Sequence, residues 1–318
     1  MTGAWLRENI RPRIRVVCDN DYCGDPDGVV QIAHHLLCDS VETPFVISSA
    51  VGRHHFEWTA DCPTRGVGVV RRVAELVGRA DLRVVEGSAL PMPSTVEPAA
   101  SEAVDALIAE AMRDDTDLPL FVAVGGGLTA VASAYLREPR IAERITVVWL
   151  GGERLDRTEV AGDVRFRETN LNTDLAAARV VFDSPIPLWH MPQGTFDQTI
   201  ISRAEYAVRV RPQGPLGAHV FDAIGRRVDM MSQGITMGET YTMGDQALVL
   251  LTALWGSYVP EPSTSTSTER PRPRIDERGL YADTPDGAPV RLFTRLDVRL
   301  LMEDFYARLQ LHATSMGE

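Results

Sequence analysis

The sequence predicts an α/β fold: a mostly parallel open sheet with helices on both faces and a small C-terminal hairpin and helix. Three observations carry that prediction. Short β-branched runs alternate with longer helical patterns along the chain. The runs are nearly apolar throughout, as strands covered on both faces are. The 318 residues, 44% of them hydrophobic, suffice to bury a sizeable core.

Taken in order, segments 14–18, 45–49, 120–124, 145–149 and 186–190 read as strands, and 29–37, 67–77, 102–112, 129–136 and 175–182 as helices between them. Repeated strand–helix–strand units imply right-handed crossovers and a parallel sheet. Ligands of such sheets bind beyond the carboxyl ends of the strands, so the residues after each strand matter most. Residues 260–274, rich in Pro, Ser and Thr, have no apolar anchor, and a flexible surface loop is expected over 260–275. Beyond it, a turn at Pro285-Asp286-Gly287 and a helix over 298–311 suit a returning hairpin and helix. That piece is too short for a core of its own, so a single domain over 1–318 is expected.

Arginine supplies all 32 basic residues against 44 acidic ones, for a net charge of −12, and the chain contains no lysine. Without a lysine there is no Schiff-base, pyridoxal phosphate or P-loop chemistry. So acidic a surface repels phosphate backbones and anionic lipid, and no nucleic-acid or membrane partner is expected. No leader pattern opens the chain, and its longest strongly apolar run, 247–255, is far below the roughly 20 residues of a spanning helix. Cys18, Cys23, Cys38 and Cys62 contain no CxxC pair, and they are expected as unpaired thiols in a reducing, cytoplasmic setting.

The first strand runs into Asp19-Asn20-Asp21-Tyr22-Cys23-Gly24-Asp25-Pro26-Asp27-Gly28, four carboxylates in nine residues. Carboxylates so crowded raise one another's pKa unless a cation sits among them. Gly24, Pro26 and Gly28 make the run a turn, so that several side chains can point at one centre. Ca²⁺ tolerates such irregular oxygen sets better than Mg²⁺ does. The plainer alternative is a solvated acidic loop. The run lacks the twelfth-position glutamate of a helix–loop–helix calcium site, and a phosphatase DxD site would need the missing lysine.

This run resembles the N-terminal signature of the inosine/uridine-preferring nucleoside hydrolase family, with Gly24-Asp25-Pro26-Asp27 closer to its divergent hydrolase-like relatives. Seven further segments resemble family motifs in the family's order. They are Val51-Gly52-Arg53, Glu86 to Pro91, Val124 to Ser133, Trp149 to Gly152, Glu168 to Ala177, Gly244 to Leu248 and Phe293 to Val298. The resemblance covers nearly the whole chain. It implies a Rossmann-type, nucleoside hydrolase-like fold and Ca²⁺-dependent hydrolysis of the N-glycosidic bond of a nucleoside-like small molecule. It also implies a homo-oligomer, dimer or tetramer.

Carried over position by position, the resemblance makes Asp21 and Asp245 metal ligands, with Asp21 also the general base. A backbone carbonyl near Val124 or Gly125 is a further ligand. The family's adjacent aspartate pair reads Asp25-Pro26-Asp27-Gly28 here. Either Pro26 splits the pair, leaving Asp25 to the sugar and Asp27 to the metal, or Asp27 stands alone beside Gly28. The split is preferred because it fills both positions. Glu168 and Asn170 are expected to bind ribose hydroxyls, and the plainer alternative for them is a helix N-cap region. Three positions depart from the pattern: Gly244 replaces a histidine linked to leaving-group activation, and Ala130 and Arg53 replace asparagines. The acid could then be absent or come from His54, His55, Glu239 or Tyr241, while Trp58 could stack on an aromatic aglycone. Two alternative functions follow: a tailoring enzyme for an unusual nucleoside or glycoside using the same site, or a non-catalytic sugar-binding homologue.

Overall fold

The computed structural model describes residues 9–154 and 167–316. The first half runs β1 (Ile14–Asn20), α1 (Asp27–Leu36), β2 (Val41–Glu42), β3 (Val46–Ser48), α2 (Cys62–Val77), β4 (Val84–Glu86), α3 (Glu102–Ala111), β5 (Leu120–Val124), α4 (Thr129–Arg137) and β6 (Ile145–Leu150). The middle holds α5 (Thr169–Thr173), α6 (Leu175–Asp183), β7 (Leu188–Met191), β8 (Ile200–Ser202), α7 (Arg203–Arg209) and α8 (Gly214–Met231). The last part comprises β9 (Thr240–Thr242), α9 (Gln246–Thr252), β10 (Thr266–Pro271), β11 (Arg274–Ile275), β12 (Tyr281–Ala282), β13 (Pro289–Arg295) and α10 (Val298–Met316).

The main sheet has the order β10-β13-β7-β6-β5-β1-β3-β4, with β2 also on β1, and every pairing is parallel except β10 with β13. The predicted α/β class holds, and the C-terminal hairpin and helix are β10, β13 and α10. Alternate residues of β1 face opposite layers. Val16 and Cys18 pack with α1, α2, α8, α9 and α10, whereas Val17 joins α3, α4 and α6. That two-sided burial is why the strands read as unbroken apolar runs. From β1 the chain winds out through β3 and β4, then returns to the other side of β1 as β5. The reversal opens a crevice at the carboxyl ends of β1 and β5, where such sheets hold ligands.

Three expectations need revision. Within 260–275, residues 266–271 form the edge strand β10 and 274–275 form β11, so only 260–265 lies outside regular strands or their connection. The anchor is Arg272, whose buried guanidinium donates to the carbonyls of Val181, Ser184, Ile186 and Pro289. Cys23 and Cys62 are a disulfide with Cα atoms 5.8 Å apart, and only Cys18 and Cys38 are free. The tight turn closed by the Gly24 N–H donating to the Asp21 carbonyl carries Cys23 to the start of α2, where Cys62 stands. Lastly, β7 begins at Leu188 rather than 186, just after Pro187, a residue that cannot donate to a ladder.

Candidate active site

The acidic run leaves β1 as a short turn, and Asp27 opens α1. Asp21, Asp25 and Asp27 line a cavity of about 260 Å³ with Gly125, Glu168, Asn170 and Asp245. The residues expected to hold the metal and the sugar therefore meet in one place. The cavity sits at the β1/β5 crevice, because β1 and β5 run in register up to Asp19 and Val124.

Two aspartates from distant parts of the chain are held together here. The Asp245 backbone N–H donates to Asp27 Oδ2 at 3.0 Å, and Asn20 Nδ2 donates to Asp245 Oδ2 at 2.8 Å. Asp27 Oδ1 is buried with no hydrogen-bond partner among the described residues. A Cβ at Gly125 would stand 2.6 Å from Asp245 Oδ1, so only glycine lets the strand end approach this carboxylate. Burial, then the charges of Asp245 and Asp25, pushes both Asp21 and Asp27 well above the usual carboxylate range. Burial likewise pushes Asp245 up, against the Asn20 hydrogen bond that favours its charged form. An orphaned carboxylate oxygen among mutually repelling, oxygen-only donors suits a hard divalent cation. Asp21, Asp27, Asp245 and the Gly125 carbonyl are the groups able to hold it.

Asp25 lies against Asp27 and also has a partner of its own. Its Oδ1 accepts from the Tyr241 hydroxyl at 3.2 Å, on the side of the cavity lined by His55 and Arg227. Burial, then Asp25 and Asp27, raises the Tyr241 pKa, so that the phenol keeps its proton. Burial and the Arg227 charge lower that of His55, leaving its ring neutral at pH 7.

Glu168 and Asn170 line the cavity, but their polar atoms are largely used in the fold. Glu168 is the N-cap of α5. Its Oε1 accepts from the Asn170 N–H, and its Oε2 from the N–H groups of Leu171 and Gly152. Gly152 reaches it with φ +87°, a backbone region that favours glycine. Asn170 Nδ2 donates to the carbonyls of Gly125 and Leu150 at 2.9 Å each, tying together the ends of β5 and β6. The plainer N-cap reading thus describes Glu168, while α6 is capped by Asp174, whose Oδ1 accepts from the Ala177 N–H.

Gly244 lines the cavity at the histidine position of the family pattern, with a Phe196 ring carbon 3.5 Å from where its Cβ would stand. Of the substitute acids, His55 lines the cavity and Tyr241 reaches it through Asp25, while His54 and Glu239 do not line it. Trp58 donates to the Ala89 carbonyl at 3.4 Å and packs against the Ala50, Val51 and Cys62 cluster instead. Sequence reasoning missed Arg227, Phe196 and Asp197. Arg227 had a signal, because it continues the apolar stripe Leu216, Val220, Ala223, Ile224 of α8, where a cation is out of place.

His34, Cys38 and Asp304 form a second group whose ligand atoms lie within 4.8 Å of one another. It lies outside the cavity and is already satisfied: His34 Nε2 bonds Asp304 Oδ2 at 2.9 Å, and Arg308 Nε donates to the same oxygen. A guanidinium on the carboxylate takes the place a cation would need.

The family described as inosine-uridine preferring nucleoside hydrolase matches residues 39–285, a span that leaves out the acidic run. Among solved structures, a purine-preferring ribonucleoside hydrolase from Gardnerella vaginalis is 16% identical, covering 95% of this chain and 99% of its own at TM-score 0.73. The inosine-uridine preferring nucleoside hydrolase from Bacillus anthracis is 16% identical over 93% and 99%, at TM-score 0.63. The type III effector protein XopQ, solved with adenosine diphosphate ribose, is 18% identical over 98% and 97%, at TM-score 0.65. No curated protein matches the chain by sequence. The matched family, together with a fold shared over nearly the whole chain, makes this protein a member of the inosine-uridine preferring nucleoside hydrolases, a metal-dependent family of hydrolases acting on N-glycosyl bonds.

Proposed function

We propose that the chain hydrolyses the N-glycosidic bond of a nucleoside-like small molecule, with Ca²⁺ held by Asp21, Asp27, Asp245 and the Gly125 carbonyl. The observation that carries the reading is Asp27 Oδ1, a buried carboxylate oxygen with no partner beside two further buried aspartates. When bound, such a cation supplies positive charge that lowers the pKa of a nearby water. Asp21 takes the proton as water oxygen bonds to the anomeric carbon and the C–N bond breaks towards the base. The surrounding carboxylates stabilise the cationic sugar of the transition state. The split assignment gains support from the two directions taken: Asp27 towards Asp245, Asp25 towards Tyr241. Asp25 then serves the sugar, with Glu168 and the Oδ1 of Asn170. Ribose release from a nucleoside panel, with and without chelator, tests this. Undiminished hydrolysis in chelator removes the metal from the mechanism.

A second reading keeps the metal and sugar site but changes the aglycone. Gly244 supplies no acid, and the wall beside Arg227 differs from the family pattern, which suits a different leaving group. XopQ, of the same fold, is described with adenosine diphosphate ribose. Either a tailoring reaction on an unusual glycoside or binding without turnover would follow. Tight binding of adenosine diphosphate ribose, with no hydrolysis of common nucleosides, favours this reading.

A homo-oligomer and a cytoplasmic location complete the proposal. Light scattering tests the first. The Cys23–Cys62 disulfide weighs against the second, and a thiol count on protein isolated under alkylating conditions decides it. Among the described residues no helix is long and apolar enough to cross a membrane.

A further inference from the structure

A second cavity, of about 520 Å³, lies on the far side of the acidic turn, between α2 and α8. Its size falls within the roughly 300–1,000 Å³ of small-molecule sites. The turn acts as a partition. Asp21, Asp25 and Asp27 face the aspartate cavity, whereas Tyr22, Cys23, Gly24 and Pro26 line the second one.

Charge reverses across that partition. Arg65 and Arg72 of α2 and Arg226 and Arg227 of α8 line the second cavity, with Glu57 as the single carboxylate in its wall. In a chain of net charge −12, four arginines around one cavity are a local exception. Arg227 is matched, since its guanidinium donates to Glu57. Arg72 meets Glu75 at 3.1 Å, but both side chains are 55% exposed, and pairs of that kind contribute little. Neither Arg65 nor Arg226 has a carboxylate within ion-pair distance among the described residues; Arg65 only donates to the Thr59 hydroxyl at 3.0 Å.

His219 supplies an independent observation. It lines the same cavity, and its Nε2 is buried with no hydrogen-bond partner among the described residues. Burial, then the charges of Arg226 and Arg72, pushes its pKa down, with the Asp222 carboxylate opposing them. The floor is apolar, made by Val29, Ala223 and Met230. Unmatched guanidinium forks beside an unsatisfied imidazole nitrogen fit phosphate oxygens, to which arginine donates in pairs.

We infer that this cavity binds a phosphorylated small molecule, its phosphate held by Arg65, Arg72 and Arg226 with His219 Nε2, at a site separate from the aspartate cavity. Arg227 lines both cavities.

Calorimetric titration of the full chain with inorganic pyrophosphate, in chloride at physiological ionic strength, tests this. Saturable binding is expected, weakened by about tenfold or more in Arg226→Glu and in Arg65→Glu, the loss of one charge-assisted contact. Both residues are exposed, so the variants should fold, and their unchanged circular dichroism melting is the control. Asp245→Asn should bind pyrophosphate as the parent does, whether or not the chain proves to be a nucleosidase. Adenosine 5′-monophosphate separates two sources of phosphate. If Asp245→Asn leaves its affinity unchanged, the whole ligand sits among the arginines. If its affinity falls while that of pyrophosphate does not, the ribose occupies the aspartate cavity and its phosphate reaches the arginines. Either outcome supports a phosphate site. Absence of saturable pyrophosphate binding, or binding indifferent to both arginine variants, overturns it.

Discussion

Asp27 Oδ2 accepts the backbone N–H of Asp245 at 3.0 Å, so the start of α1 is pinned to the start of α9 across 218 residues of sequence. The carboxylate that holds this amide also presents an unpartnered oxygen to the cavity. Structure and metal capacity are therefore joined in one side chain, which gives the aspartates separable phenotypes.

Asp245→Ala should abolish turnover and leave the Asp27–amide bond intact, since that bond uses the backbone. In the parent, Ca²⁺ at 100 times its Kd should add about 2.7 kcal/mol of stability. In Asp245→Ala the same addition should add close to nothing. Thermal melts with and without Ca²⁺ check this, and a variant that binds Ca²⁺ like the parent would show the drawn ligand set to be wrong.

Asn170→Ala should behave differently from a mere sugar contact. It strips donors from the Gly125 and Leu150 carbonyls, at a cost of about 1–3 kcal/mol for each acceptor left buried and unpaired. Denaturant titration should show that loss along with reduced activity, and Ca²⁺ should still raise the melting temperature. A stability equal to the parent's would mean that water replaces the amide at no cost.

Without bound cation, Asp19 holds its proton to about pH 7 because burial outweighs its Ser49 hydrogen bond, and burial also raises Asp21, Asp27 and Asp245. The unfolded chain loses these protons near 3.8, the ordinary value for an aspartate. Between those limits the folded state carries more protons than the unfolded one, so stability must fall as pH rises from about 4 through 7. A bound divalent cation replaces the protons of Asp21, Asp27 and Asp245 and removes their share of that slope. Calorimetry in buffers of differing ionisation enthalpy should detect proton release on Ca²⁺ binding at pH 6.5, and less as Asp245 loses its proton above about pH 7. Release that does not depend on pH would argue against a site built from these carboxylates.

The Cys23–Cys62 bond closes a loop of 39 residues that contains β3 and the 49–61 segment. Cys62→Ser, or reduction, should cost about 2–4 kcal/mol. Because Cys23 lies between Asp21 and Asp25, Ca²⁺ affinity should weaken as well. Equal calcium affinity in oxidised and reduced protein would show that the turn is held by Asp27 and Gly24 alone.

Much of this was legible in the sequence, for identifiable reasons. Strands buried on both faces announce themselves by unbroken apolar runs, and the crowded Asp19–Asp27 turn stands out because its charge is costly. Asp245, Glu168 and Asn170 were visible only through family resemblance; without it they would read as ordinary helix-start residues, and Glu168 is in fact an N-cap. What escaped depends on tertiary partners. Strand β10 was missed because its anchor is an arginine satisfied by four carbonyls of distant segments. The disulfide was missed because 39 residues of spacing carry no pairing signal. Arg227 was missed although its place on an apolar stripe could have flagged it.

Gly125 has one further consequence, for where new specificity can arise. A Cβ there would meet Asn20 Nδ2 at 2.5 Å and Asp245 Oδ1 at 2.6 Å, and one at Gly127 would meet Thr173 Cγ2 at 2.6 Å. Position 125, where β5 meets the cavity, is thus closed to side-chain variation, because any substitution there displaces the Asp245 carboxylate or Asn20. The opposite wall, built by His55, Phe196, Asp197 and Arg227, carries no such restriction from the metal-side carboxylates. Diversity introduced there can re-aim the pocket at a different leaving group while the hydrolytic half stays untouched. A library over those four positions should yield altered aglycone preference at preserved calcium affinity, whereas substitutions at Gly125 should yield inactive chains.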